Sequence, residues 1–147
     1  MRQVQDGDNS WVTVVIPAYN AATTIGKALQ SAVNQTYELV EVIVVDDAST
    51  DGTIEVVTNF AGNNPRVRVL RRKENSGGVG APRNWGIAQA AGRWVMFLDA
   101  DDELPPRACE RLVASALETG SDITAGKAVR INRTTGESEP WAPRSTR

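Results

Sequence analysis

The chain of 147 residues is long enough for one domain with a buried core, and its composition is that of an ordinary soluble globular protein. Its formal net charge of −2 at pH 7 gives no indication of the positively charged surface that binds nucleic acid. Histidine is absent, which excludes imidazole-based zinc sites and a Ser-His-Asp triad, and the single cysteine excludes an internal disulfide.

The first ten residues are polar, and we predict a disordered lead-in at 1–10. They contain no apolar signal core, and no apolar run approaches the ~20 residues that a membrane-spanning helix needs. The expected location is therefore cytoplasmic, with peripheral docking to a membrane through another part of the protein left open.

From residue 11 onward the patterns of a strand and of an amphipathic helix alternate. Strands are predicted at 11–16, 40–45, 67–70 and 94–98, and helices at about 21–34, 53–61, 82–91 and 105–120. Cys109 falls on the apolar face of the last helix, so we expect a small, inert core residue. This alternation predicts βαβ units in an α/β fold, a three-layer α/β/α Rossmann-like arrangement around a mostly parallel sheet.

The end of the chain is less regular. A further strand is predicted within 122–131, at 123–125 and continuing past Gly126. From residue 132 the sequence is polar and contains prolines, so 132–147 is predicted to be a loop or a frayed tail.

One stretch carries the strongest chemical signal, an apolar run at 95–98 that ends in Asp99, Asp101 and Asp102. The run does not alternate, which predicts a strand buried on both faces. Carboxylates gathered at a strand end repel one another unless a divalent cation joins them, and magnesium and manganese commonly bridge one or two carboxylates to phosphates. A solvated acidic turn that begins the next helix is the equally weighted alternative.

Other polar clusters also follow strands, so we expect them to share one edge of the sheet. Tyr19 can stack beside a base or be an ordinary half-buried aromatic residue. Asp47, or less readily Asp46, can accept a hydrogen bond from a base, while the other caps a helix. Arg83 can pair with a phosphate or with a surface acid.

The segment Gly77-Gly-Val-Gly80 allows backbone to approach a ligand closely. It is not a dinucleotide fingerprint, because Arg83 stands where the last glycine of that motif belongs. It does not have the spacing of a phosphate-binding loop that ends in Gly-Lys-Ser/Thr either.

Four motifs together resemble the family-two nucleotide-sugar glycosyltransferases of the GT-A fold. They are Val12-Thr-Val-Val-Ile-Pro-Ala-Tyr-Asn20, Val44-Val-Asp-Asp-Ala-Ser-Thr-Asp-Gly-Thr53, Asn75-Ser-Gly with Pro82-Arg-Asn-Trp-Gly-Ile87, and Phe97-Leu-Asp-Ala-Asp-Asp102. Each is weak alone, but their order and spacing match from Val12 to about Gly126. The resemblance implies that residues 11–131 form the N-terminal half of a nucleotide-sugar-binding GT-A domain.

The resemblance also implies roles for particular residues. Pro17, Ala18 and Tyr19 would line the nucleoside pocket, and Asp47 would hold the base with Asp46 beside it. Arg83 and Asn84 would place the diphosphate and the donor sugar. Asp99, Ala100 and Asp101 resemble the family's DxD motif, in which Asp99 faces the sugar or ribose and Asp101 binds Mn²⁺ or Mg²⁺ with support from Asp102.

The implied reaction is metal-dependent, inverting transfer of a sugar from a nucleoside diphosphate, with a UDP-sugar as the favoured donor, to a glycan or lipid acceptor of the cell envelope. Members of this family normally continue beyond this length into an acceptor pocket that holds the catalytic base. Glu137 and Glu139 lie in the predicted tail, so neither is assigned that role, and the base is expected beyond residue 147. We therefore expect a donor-binding half of a longer enzyme, whose open surface either a second copy or the missing sequence can cover.

Two alternatives stay open. A non-catalytic nucleotide-binding fragment would share every motif named above. A nucleotidyltransferase-like domain usually has a glycine-rich basic loop after its first strand, where this chain has Pro17-Ala-Tyr-Asn20, and is therefore less favoured.

Overall fold

The computed structural model describes residues 10–132 and 134–140. These residues divide into two compact units, Met1–Glu110 and Arg111–Arg147. Most of the predicted disordered lead-in, residues 1–9, lies outside the described residues, but Ser10 is buried and its carbonyl accepts a hydrogen bond from the Tyr37 hydroxyl. None of the helices in the described ranges has the length and apolar character of a membrane span.

The first unit is built on a parallel sheet of four strands with helices between them. The strands are β1 (Val12–Ala18), β2 (Val40–Asp46), β3 (Val67–Arg71) and β4 (Trp94–Phe97), and the helices are α1 (Ile25–Val33), α2 (Thr53–Gly62), α3 (Gly80–Gln89) and α4 (Ala108–Thr119), which continues into the second unit. The strand order is β3-β2-β1-β4, with all three pairings parallel. The predicted parallel α/β architecture is confirmed.

The core lies on β1 and β2. Every residue of β1 is buried, because this apolar strand has a neighbour on each side and helices over both faces. On one face Val15, Ile43 and Val45 pack with Leu70 and with Trp85 of α3. The β1-α1-β2-α2-β3 path then turns back through α3 to β4, and right-handed crossovers place α1 and α2 on the opposite face.

The strand order reverses between β1 and β4, and the sheet opens there. Leu98 N–H donates to the Val15 carbonyl, so odd-numbered residues of β1 direct their backbone groups towards β4. Pro17, the next odd-numbered residue, has no N–H, and β4 has already ended at Phe97. Ligands of open parallel sheets bind at such a reversal, beyond the carboxyl ends of the strands.

The prediction that the apolar run at 95–98 is buried on both faces is wrong. Val95 and Phe97 are 39% and 43% exposed, whereas Leu98 is 4% exposed. The reason is position, because β4 is an edge strand of the sheet in the described part of the chain. A short apolar run does not distinguish an edge strand from a central one.

The second unit contains the remainder of α4 and a short antiparallel hairpin. Its strands are β5 (Val129–Ile131) and β6 (Ser138–Pro140). The helix ends at Thr119 and Gly120 follows with φ +68°, a left-handed conformation that favours glycine. The further strand predicted within 122–131 is formed at Val129–Ile131 and not at 123–125. Ser138–Pro140 is a strand where a loop or tail was predicted. Residues 133 and 141–147 of that tail lie outside the described residues.

Candidate functional site

A cavity of about 290 Å³ lies beyond the carboxyl ends of β1 and β2. This volume is close to the lower end of the range for small-ligand pockets, ~300–1,000 Å³. Its wall consists of residues from the end of β1, from the loops after β1, β2 and β3, and from the first turn of α3, which are Pro17, Ala18, Tyr19, Asp47, Asn75, Gly77, Gly78, Val79 and Pro82. Tyr19 and Val79 are each 52% exposed, so an aromatic ring and an aliphatic side chain are available to a ligand.

Asp47 is the acidic residue of the cavity wall, and it is 3% exposed. Its Oδ2 accepts hydrogen bonds from the Ser76 N–H at 3.0 Å and from the Ser76 hydroxyl at 2.7 Å. Arg72 Nε lies 2.7 Å from the other oxygen, Oδ1, and both of these atoms are buried. Asp47 is therefore a buried carboxylate that Ser76 and Arg72 hold in place.

Asp46 has a different surrounding, because it is fully buried and does not line the cavity. Its Oδ2 accepts a hydrogen bond from the Ser49 N–H at 3.3 Å and lies 3.3 Å from Arg71 Nε. These contacts shape the turn after β2. Asp47 lines the cavity, whereas Asp46, the last residue of β2, supports the turn that follows. The helix cap predicted for one of these acids is not formed, because α2 begins after Gly52 without a side-chain cap hydrogen bond.

Hydrogen bonds join the turn after β1 to the turn after β2. The Asn20 N–H donates to the Ser49 hydroxyl, and the Thr50 N–H donates to Asn20 Oδ1. Asp51 joins the same network by accepting from the Ala22 N–H, and the pKa of its carboxyl is held below its ordinary value, chiefly by the hydrogen bond from the Thr53 hydroxyl. Asn20 has φ +49° and Ala48 has φ +61°, so backbone strain is accepted to form these turns.

Arg83, on the first turns of α3, forms an ion pair with Asp99. Its Nη2 lies 2.6 Å from Asp99 Oδ1, and the guanidinium carbon lies 5.3 Å from the centre of the Phe97 ring. The side chains of Arg83 and Asp99 are 32% and 49% exposed, so the pair is open to solvent and to ligands. Between the two alternatives for Arg83, the structure shows pairing with an acid, and this acid is itself a predicted site residue.

Asp99, Asp101 and Asp102 follow β4 and are all exposed, with the buried Ala100 between them. The Asp102 N–H donates to the Asp99 carbonyl at 3.0 Å, which forms the acidic turn. Among the described residues, no set of three or more acidic or thiol side chains is arranged to hold a metal ion. The three aspartates are brought into one turn but not into a preformed metal cluster, and their role as ligands stays a prediction.

The structure thus brings together part of the predicted site. Pro17, Ala18, Tyr19 and Asp47 share the cavity, whereas Arg83 and Asp99 form a separate pair and Asn84 is exposed on α3. Sequence reasoning assigned no individual binding role to Asn75, Val79 or Pro82 of the wall, nor to Ser76 and Arg72, the two residues that hold Asp47. The glycine-rich stretch did indicate close backbone approach, and Gly77 has φ +76°.

The fold and the cavity define a class of protein, an α/β domain whose parallel sheet carries a small-ligand cavity at its carboxyl edge. Residues 13–144 match the family model described as glycosyl transferase family 2. The chain belongs to this family.

Three similar proteins show how far the likeness extends. The chain is 42% identical over 123 residues to a poly(ribitol-phosphate) beta-glucosyltransferase of Bacillus spizizenii, covering 82% of this chain and 19% of that protein. The S. aureus TarS 1-349 structure in complex with UDP-GlcNAc is 36% identical with a TM-score of 0.71, covering 76% of this chain and 32% of that one. The mannosyltransferase PcManGT from Pyrobaculum calidifontis, solved with GDP-Man and Mn²⁺, is 32% identical with a TM-score of 0.64, covering 86% and 37%.

Proposed function

We propose that this domain binds a nucleoside-diphosphate sugar together with a divalent metal ion and acts as the donor-binding part of a glycosyltransferase. The observation that carries the proposal is the cavity beyond the carboxyl ends of β1 and β2, because it gathers four residues that the sequence predicted for the nucleoside, Pro17, Ala18, Tyr19 and Asp47. Similar proteins solved with UDP-GlcNAc and with GDP-Man support the same class of ligand.

The cavity suits the nucleoside part of the donor. Tyr19 offers an exposed aromatic face on which a base can stack, and Asp47 offers a charged acceptor for a base N–H. Gly77 and Gly78 contribute wall without side chains, so the ligand can approach the backbone.

The diphosphate would lie towards Arg83 and the acidic turn. Arg83 is a fork-shaped cation that binds phosphate oxygens well, and Asn84 next to it can contact the donor sugar. Asp101, with Asp99 and Asp102, would hold Mn²⁺ or Mg²⁺. These carboxylates fit such an ion chemically, because it needs one or two protein carboxylates when phosphate oxygens and water complete its shell. When bound, the ion offsets the charge that grows on the departing nucleoside diphosphate.

The residues of this chain would contribute binding and orientation. Asp47 would fix the base, while Arg83 would exchange its partner Asp99 for a phosphate and so neutralise charge on the leaving group. In the described part of the chain Glu137 and Glu139 are exposed near a hairpin of the second unit, and we assign neither as the base that deprotonates the acceptor. Transfer with inversion would use a base beyond residue 147.

The acceptor is proposed to be a glycan or lipid of the cell envelope. Support comes from relatives named as acting on such polymers, among them the poly(ribitol-phosphate) beta-glucosyltransferase. The chain spans 19% to 37% of the lengths of the relatives compared above. Sugar transfer by the whole protein is therefore part of this proposal.

Calorimetric titration of the 147-residue chain with UDP, UDP-GlcNAc, GDP and GDP-mannose, each with and without Mn²⁺, tests the binding proposal. We expect saturable binding of at least one nucleotide that strengthens about tenfold or more with Mn²⁺. A chain that folds but binds none of the four at millimolar concentration would overturn the proposal.

The second candidate is nucleotide binding without transfer. Mass spectrometry of the donor after incubation with an acceptor glycan distinguishes the two, because transfer releases the free nucleoside diphosphate and binding alone does not.

A further inference from the structure

The acidic turn after β4 is fixed by a hydrogen bond at each end. Before the turn, the Leu98 N–H donates to the Val15 carbonyl, and after it the Leu104 N–H donates to Ser31 Oγ at 3.0 Å. Between these two bonds lie residues 99–103, and the acidic side chains among them are Asp99, Asp101, Asp102 and Glu103. Like charges at this density repel one another, so the two bonds keep the backbone of the turn in place against that repulsion.

Ser31, in the last turn of α1, provides the bond that follows the acidic turn. Its hydroxyl donates to the Ala28 carbonyl at 2.8 Å and accepts from the Leu104 N–H. Because the single hydroxyl proton is used within α1, the oxygen faces Leu104 as an acceptor. Leu104 is two residues from Asp102, so this bond determines where the acidic turn ends.

Gln35, two residues after the end of α1, adds three hydrogen bonds beside Ser31. Its Nε2 donates to the Pro105 carbonyl at 2.9 Å and to the Ser31 carbonyl at 3.1 Å, so both N–H groups of the amide have acceptors. Its Oε1 accepts at 3.0 Å from the Cys109 N–H, which belongs to the first turn of α4, where N–H groups have no partner within the helix. Gln35 is 7% exposed, so these bonds are shielded from water and correspondingly strong.

Ser31 and Gln35 together attach the segment 104–109 to the end of α1, directly after the acidic turn. A loop whose two ends are already fixed loses less conformational entropy when its carboxylates converge on an ion. The position of the carboxylates also matters, because a small divalent ion such as Mg²⁺ demands a near-ideal arrangement of its oxygen ligands. The attachment therefore favours metal binding without contributing a ligand.

We propose that Ser31 and Gln35 are positioning residues that fix the acidic turn for a divalent metal ion bound together with a nucleoside diphosphate. The inference rests on the proposed function, since it requires the ion at this turn. Neither residue lines the cavity, so neither contacts the base there. The two side chains should therefore affect the part of the nucleotide affinity that depends on the metal and leave the metal-free part unchanged.

Titration calorimetry of the 147-residue chain with UDP, without metal and at saturating Mn²⁺, tests this role in the wild type, Ser31→Ala, Gln35→Met and Thr36→Val. Ser31→Ala removes the acceptor of the Leu104 N–H, and Gln35→Met removes three hydrogen bonds while keeping a side chain of similar length. In both variants the strengthening of UDP binding by Mn²⁺ is expected to fall about threefold or more, while metal-free affinity stays within about twofold of wild type.

Thr36→Val is the matched control. The Thr36 hydroxyl donates to Glu110 Oε2 at 2.8 Å, so it also joins the end of α1 to α4, but it does so away from the acidic turn. This variant should keep the wild-type strengthening. Electron paramagnetic resonance of Mn²⁺ provides a second readout, because by linkage the ratio of Mn²⁺ affinities with and without UDP must change by the same factor as the UDP affinities.

Unchanged strengthening in folded Ser31→Ala would overturn the inference, and this variant decides if Gln35→Met does not fold. An equal loss in Thr36→Val would also overturn it, because the cause would then be the general attachment of α4. So would a parallel loss of metal-free and metal-dependent affinity, which a loosened fold produces. These outcomes leave the proposed function intact, whereas wild type that binds no UDP, or binds it equally with and without Mn²⁺, would overturn both.

Discussion

Arg83 on α3 and Asp99 after β4 lie 2.6 Å apart, so two predicted site residues neutralise each other in this structure. A ligand phosphate would compete with Asp99 for the same guanidinium. Release of Asp99 would then leave a carboxylate open to a cation, which links phosphate binding at Arg83 to metal binding in the acidic turn.

We expect Arg83→Ala to weaken UDP binding in the presence of Mn²⁺ by about tenfold, because a charge-assisted contact to phosphate is lost. Arg83→Lys is expected to recover part of the lost affinity, since lysine keeps the positive charge but lacks the paired N–H donors of the guanidinium. Stability should change by less than about 1 kcal/mol, because the pair is exposed. Titration calorimetry and thermal melts measure both, and unchanged affinity in Arg83→Ala would exclude a phosphate contact.

Asp101→Ala is expected to abolish the Mn²⁺ dependence of nucleotide binding while the domain stays folded. The residue is exposed at a turn after β4 and does not belong to the core. Titrations with and without Mn²⁺ provide the measurement, and Glu118→Ala, which removes an exposed acid from α4, is the matched control. If Asp101→Ala keeps the full effect of Mn²⁺, the metal assignment is wrong.

Leu98→Asp is expected to prevent folding, because it places an unpaired carboxylate at a position that is 4% exposed. Val95→Asp is the matched control on the adjoining edge strand, at a position 39% exposed, and should cost much less. Urea unfolding followed by circular dichroism compares the two. A Leu98→Asp variant that unfolds at the wild-type midpoint would contradict the burial of Leu98.

Gly86→Ala is expected to destabilise the domain by about 1–3 kcal/mol, although alanine favours helix. A Cβ at Gly86 would lie 2.3 Å from a Val15 methyl carbon, so α3 would have to move away from β1. Gly26→Ala on α1 is the control, because its Cβ meets nothing within 4 Å, and it should stabilise by about 0.5–1 kcal/mol. Denaturant unfolding measures the shift of each variant's midpoint from the wild-type midpoint. Shifts in the same direction for Gly86→Ala and Gly26→Ala would contradict the close contact of α3 with β1.

The buried thiol of Cys109 is expected to lower the free energy of unfolding as the pH becomes alkaline. Burial raises the pKa of its thiol from 9.0 to about 11, so the folded protein disfavours the thiolate. The contribution of the protonated thiol to stability is complete below the unfolded-state pKa and is lost as the pH rises from about 9 to about 11, on the order of 3 kcal/mol in all.

Urea unfolding at pH 8 and at pH 10.5 measures the decrease in the free energy of unfolding between these pH values. This decrease should be smaller in Cys109→Ala than in wild type. The pKa of Tyr37 is also raised, chiefly by burial and next by the charge of Cys109, so Cys109→Ala removes part of the Tyr37 shift as well. Iodoacetamide should label native Cys109 slowly at pH 8. Labelling as fast as in unfolded protein would contradict the buried thiol.

Much of the fold could be predicted from local pattern. The apolar run of β1 and the helical spacing in α1 and α4 are properties of adjacent residues, and the alternation of strands and helices implies parallel pairing. The polar loops follow strands, so their meeting at one edge of the sheet could be predicted as well.

What could not be predicted depends on distant neighbours. The exposure of Val95 and Phe97 follows from the strand order, which no local run encodes. The strand Ser138–Pro140 has poor strand formers and exists through its pairing with Val129–Ile131. Ser76 and Asp47 are 29 residues apart, so their contact could be seen only in the folded chain.

The bonds between the turns after β1 and β2 have a kinetic consequence. Asn20, Ser49 and Thr50 already join these turns without ligand, so this part of the cavity wall need not assemble during binding. Stopped-flow mixing should then give one exponential phase whose rate rises linearly with nucleotide concentration, limited by encounter and without a plateau.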